Sequence, residues 1–112
     1  MTWEEFKTFI KGKVFLIGIT FTDGKGNVVD TFQASGKVTE LTDEGILRFI
    51  RPDNSIYQLP YERESISEAQ PGEYKEKATG HIVVNPDYIT TWTITINDNE
   101  HIDKIKEKGY LA

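Results

Sequence analysis

The amino-acid sequence predicts a mainly β protein. About six strands should form an antiparallel, strongly bent sheet, closing into a small SH3-like or partly open barrel with a short helix at each terminus. Three observations carry this reading. Runs rich in β-branched and aromatic residues recur along the chain, separated by turn signals at a spacing of about 8–12 residues. The segment from Tyr88 to Ile96 alternates: Tyr88, Thr90, Trp92, Ile94 and Ile96 share one parity, and Ile89, Thr91, Thr93 and Thr95 the other. Such a strand has an apolar face and a threonine-rich face. Gly18, Gly36 and Gly80 fall inside strand-like segments, where a sheet can bend. In so small a protein, curling toward closure buries one face and protects the edges. A flatter sheet with helices packed on one face is the competing arrangement.

The elements follow in order. Thr2-Trp3-Glu4-Glu5 fits a capping box, and Trp3, Phe6 and Ile10 recur at helical spacing before Gly12, which predicts a helix over about Trp3–Lys11. Val14 to Phe21 is apolar at nearly every position and should be covered on both faces. The turn Asp23-Gly24-Lys25-Gly26-Asn27 leads into a long second strand, about Val28–Glu40, with Phe32, Ala34 and Val38 on one side and a bulge at Gly36. Ile46–Arg51 and Ser55–Leu59 are the third and fourth strands, joined by Pro52-Asp53-Asn54. From Pro60 to Gln70 the periodicity is lost, which predicts an acidic loop with one helical turn near Ser65–Ala69. A fifth strand, interrupted at Thr79-Gly80, is expected over Glu73–Val84, and a sixth over Ile89–Ile96. Asn97, Asp98 and Asn99 are cap candidates for a last helix over Glu100–Lys108, with Ile102 and Ile105 inward and Gly109 as its stop.

Size and composition narrow the function classes. A chain of 112 residues is expected to form one domain, residues 1–112, with a core too small for a large internal cavity. It contains no cysteine, which removes disulfides, thiolate nucleophiles and thiolate metal sites. No run of about 18 apolar residues is present, and the first residues carry glutamates where a secretory signal carries basic ones; the expectation is a soluble, unprocessed, cytoplasmic protein with no membrane partner. The net charge of −5, from 18 acidic and 13 basic residues with only three arginines, disfavours nucleic acid and suits a basic protein partner.

The sequence offers few chemical motifs. The third, sixth and twelfth positions counted from Asp23 are Lys25, Val28 and Ala34, which do not fit a calcium loop, and the segment opens a strand where a phosphate loop opens a helix. His81 and His101 lie far apart, so no metal site or cofactor is expected. Ser35, Ser55, Ser65 and Ser67 sit in no nucleophile-elbow setting. Glu62, Glu64, Glu68 and Glu73 contain enough carboxylates for a glycosidase pair, but spacing in a loop does not establish one, and no catalytic residue is assigned. An acidic surface that meets a partner is the functional reading of those glutamates, with Tyr61 and Tyr74 as aromatic anchors.

Leu59-Pro60, Pro71-Gly72-Glu73-Tyr74, Thr79-Gly80, Asn85-Pro86-Asp87-Tyr88 and Thr91-Trp92, together with Ile17-Gly18-Ile19-Thr20-Phe21, form a pattern that resembles a family of small, uncharacterised bacterial β-rich proteins. The resemblance spans roughly residues 13–96 and implies a shared fold. It brings no catalytic or ligand role, and its positions are turn formers, a strand tryptophan and aliphatics. The function expected is therefore a non-enzymatic protein-interaction module, of which an immunity-type or other stoichiometric inhibitor is one form. It would act through Tyr61, Glu62, Glu64, Glu68, Glu73 and Tyr74. The alternative is a small-ligand-binding β-barrel with Tyr57, Tyr74 and Trp92 at its mouth.

Overall fold

Strand β1 (Val14–Thr22) organises the molecule. In the computed structural model, which describes residues 1–77, 79–96 and 98–111, Phe15, Ile17, Ile19 and Phe21 are buried, while the residues between them are half covered. An apolar run without polar alternation requires both faces to be sheltered in this way. The odd-numbered face is the core side, joined there by Val38 and Leu41 of β2 (Val28–Leu41), Leu47 and Phe49 of β3 (Ile46–Ile50), and Tyr57 and Leu59 of β4 (Ile56–Pro60). Helices α1 (Trp3–Ile10) and α2 (Asn99–Lys108) close the core with Ile10, Ile102 and Ile105.

The principal sheet has six strands in the order β4-β3-β2-β1, then Tyr88–Thr95, then the short Ile66–Glu68. In chain order Ile66–Glu68 is β5, Glu73–Lys75 is β6, Ile82–Val84 is β7 and Tyr88–Thr95 is β8. Strand β8 runs parallel to β1, from Phe15 opposite Tyr88 to Thr22 opposite Thr95. The sheet is thus mixed, which corrects the antiparallel expectation. Hairpin turns force neighbouring strands antiparallel, but β8 returns to β1 only after β2–β7, and its own residues do not encode its direction. The sheet is not a closed barrel either: β4 and β5 are its two edges. β5 is too short to reach across, and the helices cover the core face in place of sheet closure. The β4 edge is partly satisfied by a bridge from Gln58 to Gly109, with the Tyr110 N–H donating to the Gln58 carbonyl at 2.9 Å.

Two glycines have roles other than those the sequence suggested. The register of β2 shifts between Val28 and Asp30 against β1 and between Val38 and Glu40 against β3, the second letting both Val38 and Leu41 reach the core. Gly36 is instead a close-approach position, where an added Cβ would lie 2.8 Å from the Cβ of Phe49. Around Gly80, with φ +75°, the chain reverses. β6 and β7 therefore pair with each other as a separate antiparallel ribbon, in place of one interrupted strand. The turn expected near Ser65–Ala69 is a 3-10 turn at Arg63–Ser65, followed directly by β5.

The helix termini follow their local chemistry. The Glu5 N–H donates to the Thr2 hydroxyl at 3.1 Å, and the Glu5 carboxylate accepts from the Thr2 N–H at 3.0 Å, completing the capping box. Of the three cap candidates, Asp98 caps α2, accepting from the Glu100 N–H at 3.0 Å; Asn99 is the first helical residue, and Asn97 lies outside the described residues.

The β1–β2 turn has a pH signature. Asp23 accepts from both the backbone and the side chain of Asn27 and from the Lys25 N–H, and these bonds, Asn27's first, hold its carboxyl below the ordinary value of 3.8. Lys106 does the same for Asp30, Lys7 for Asp43 and Ser55 for Asp53. A carboxyl depressed in the folded state stabilises the fold above its unfolded pKa, and that contribution is lost as pH falls through the lower folded value. The melting temperature should therefore hold down to about pH 5 and decline below about pH 4. Asp23→Asn, which keeps an acceptor but cannot ionise, should decline less steeply in thermal melts at graded pH. Parallel decline of the two proteins would refute the assignment to Asp23.

Candidate functional site

Tyr61 follows β4 directly. Its N–H donates to the Gly45 carbonyl at 2.8 Å, which turns its ring toward α1. There it meets Phe6, with ring centroids 5.4 Å apart, and Trp3, at 5.8 Å. The helical spacing of Trp3, Phe6 and Ile10 produces a gradient along one stripe: Ile10 is buried, Phe6 is half-buried and Trp3 is 39% exposed. Phe9 stands off this stripe, 41% exposed, stacked on Phe6 at 6.4 Å with the Lys13 ammonium 4.6 Å from its ring centre. The result is a connected aromatic array, rooted in the core at Ile10 and open to solvent at Trp3 and Phe9.

Carboxylates flank it. Glu4 and Glu5 are exposed in the first turn of α1, and Glu62 and Glu64 are exposed on the 3-10 turn that continues from Tyr61. That turn is tied down by Ser65, whose hydroxyl bonds the Glu62 carbonyl at 2.7 Å and approaches the Thr90 hydroxyl at 3.1 Å. Lys7 is occupied by Asp43 and Glu4. The array thus has rigid support and neighbouring carboxylates, with the exposed Arg63 between Glu62 and Glu64 and Lys13 over Phe9.

The other residues singled out from sequence are dispersed. Glu68 lies on β5 opposite Tyr88; burial first, then Glu68 and Asp87, push the Tyr88 hydroxyl above its ordinary value. Glu73 and Tyr74 belong to the β6–β7 ribbon, and Tyr74 faces Leu16 and Gly18 on the side of the sheet opposite α1; its hydroxyl donates to the Gln70 carbonyl at 2.8 Å. The three proposed mouth residues do not share a mouth. Tyr57 is wholly buried, its hydroxyl donates to the Ile105 carbonyl at 2.7 Å, and burial holds that hydroxyl far above its ordinary range. Trp92 packs against the core side of β8, its indole N–H donating to the Thr90 hydroxyl at 3.1 Å. Tyr74 sits on the opposite side of the sheet.

The sequence reading took Trp3 and Phe6 only as part of a helical stripe and passed over Phe9. The available signal was the interleaving of acids and aromatics in Trp3-Glu4-Glu5-Phe6, which a buried helix end does not need. Among the described residues, no group of three or more His, Asp or Glu side chains is placed to hold a metal ion, and no helix is long and apolar enough to cross a membrane. No family model matches the chain, and neither a curated protein nor a solved structure is significantly similar to it.

Proposed function

We propose that this chain is a non-enzymatic protein-interaction module that binds a basic partner through the surface around Tyr61, in the manner of an immunity-type or other stoichiometric inhibitor. The observation that carries this is the solvent-open aromatic array of Trp3, Phe6, Phe9 and Tyr61, flanked by Glu4, Glu5, Glu62 and Glu64. Tryptophan and tyrosine are enriched among interface hot spots, and charges around them steer the encounter with a partner of opposite sign. The capping box and the Ser65 anchor hold the array in place before binding, so little ordering entropy is lost on association. Inhibition would be steric, the array covering a basic cleft while the carboxylates steer the encounter.

The test begins with a partner captured from the native organism and purified. Trp3→Ala and Tyr61→Ala should each weaken its binding about tenfold or more, roughly 1.4 kcal/mol. Glu62→Lys with Glu64→Lys should also weaken it and flatten the salt dependence of association. Glu68→Lys and Glu73→Lys, which lie elsewhere, should leave both unchanged. If isothermal titration found the Trp3, Tyr61 and Glu62/Glu64 variants equal to the unaltered protein, the surface would be wrongly assigned.

A further inference from the structure

Gly18 occupies the middle of β1, where glycine weakens a strand by about 0.5–1 kcal/mol relative to alanine. Neither packing nor backbone requires it. Its φ is not in the left-handed region, and an added Cβ would meet only the Thr91 Cγ2, at an ordinary 3.9 Å. What the missing side chain leaves is the floor of a cleft of about 300 Å³ between the sheet and the β6–β7 ribbon. Leu16, Ile89 and Thr91 line the sheet side, and Tyr74 and Glu76 the ribbon side. The walls are mainly apolar, and the volume is at the small end of the range for ligand sites.

Glu76 is the one carboxylate in the lining, which also includes Lys75, Gln33 and Thr91. It is only 8% exposed, and its Oε2 accepts from the Thr79 hydroxyl at 2.8 Å. No Lys, Arg or His among the described residues lies within salt-bridge distance of it, although Lys75 also borders the cleft. The Glu76 carboxylate has Thr79 as its one side-chain hydrogen-bond partner among the described residues, which leaves it able to accept from a charged partner. The cleft beside it offers space for one, with an apolar floor for whatever carries the charge.

We propose that this cleft binds a small organic cation, an amine carried on a single ring or short alkyl chain, with its ammonium on Glu76 and its apolar body over Gly18. The site lies across the sheet from Tyr61 and does not depend on the protein-binding surface. The test is NMR titration of the purified protein with phenethylamine, hexylamine and benzamidine, using phenethyl alcohol and 3-phenylpropionate as neutral and anionic controls. At least one of the three cations should shift the amide signals of Gly18, Tyr74, Glu76 and Thr91 at about 10 mM or below, the millimolar range expected of so small a ligand. Glu76→Gln should weaken that binding about tenfold or more. Gly18→Val, a strand-favouring substitution that fills the floor, should abolish it with the melting temperature unchanged or raised. No cleft shifts from any of the three cations, equal binding of the neutral control, or undiminished binding by the folded Gly18→Val protein would each overturn the proposal.

Discussion

Phe49→Ala is expected to destabilise the protein by about 3–5 kcal/mol, the usual cost of removing a buried phenylalanine ring. Phe49 is wholly buried on β3 and meets Phe15 of β1 edge to face, with centroids 5.3 Å apart. These rings come together because β2 pairs with β1 over its first part and with β3 from Lys37 onward, folding the sheet at Gly36. Gly36→Ala tests the same crossing from the other side. Its Cβ would lie 2.8 Å from the Phe49 Cβ and 3.4 Å from the Ile50 carbonyl, so strand backbones must separate, at a cost of about 1–3 kcal/mol. The obstructing atom is the Phe49 Cβ, which alanine retains, so Phe49→Ala should not rescue Gly36→Ala. Urea unfolding of the two single variants and the double variant measures both terms. A Gly36→Ala protein within about 0.5 kcal/mol of the original would mean the strands do not approach as described.

Local chemistry made much of this fold legible in the sequence. The Thr2–Glu5 capping box, the double-sided burial of Val14–Thr22 and the alternation from Tyr88 to Thr95 each depend on residues a few positions apart. Strand direction does not. Nothing between Tyr88 and Thr95 distinguishes a parallel neighbour from an antiparallel one, and the choice was made by the route of the chain through residues 60–87. The β6–β7 ribbon was hidden for a related reason: Glu73–Val84 has strand-forming residues on both sides of Gly80, and a break in a strand looks the same as a reversal. At the candidate surface, Tyr61 and its glutamates stood out as an aromatic beside acids. Trp3 and Phe6 were absorbed into a helical stripe, because spacing tells which side of a helix faces inward but not how far along it the core extends. Here only Ile10 is fully buried. Tyr57, Tyr74 and Trp92 could not be sorted between the two sides of a sheet whose order was unknown.

Arg51 should prove the second most costly position to alter, through its hold on α2. From the end of β3, its guanidinium donates to the Lys106 carbonyl at 3.0 Å, the Glu107 carbonyl at 2.6 Å and the Ser55 hydroxyl at 2.7 Å, and it lies 4.8 Å from the ring centre of Tyr57. These are carbonyls of the last helical turn, two of the groups a helix leaves without internal partners, at the end where a positive charge is favourable. Arg51→Met keeps much of the stem but removes the fork, and is expected to cost about 2–3 kcal/mol, in the range for hydrogen bonds to a charged group after allowance for partial exposure. Arg51→Lys should recover little of this, since one ammonium cannot reproduce the planar geometry that reaches all three acceptors. The loss should fall on α2 first: amide exchange over Ile102–Lys108 should accelerate more than exchange in β1, whose amides report global unfolding. Uniform acceleration, or none, would mean that Ile102, Ile105, the Tyr57 hydroxyl, the Lys106–Asp30 pair and the Gln58–Gly109 bridge hold α2 without Arg51. Selective acceleration would identify a strand-end arginine as the clasp that keeps the second helix on an otherwise open sheet.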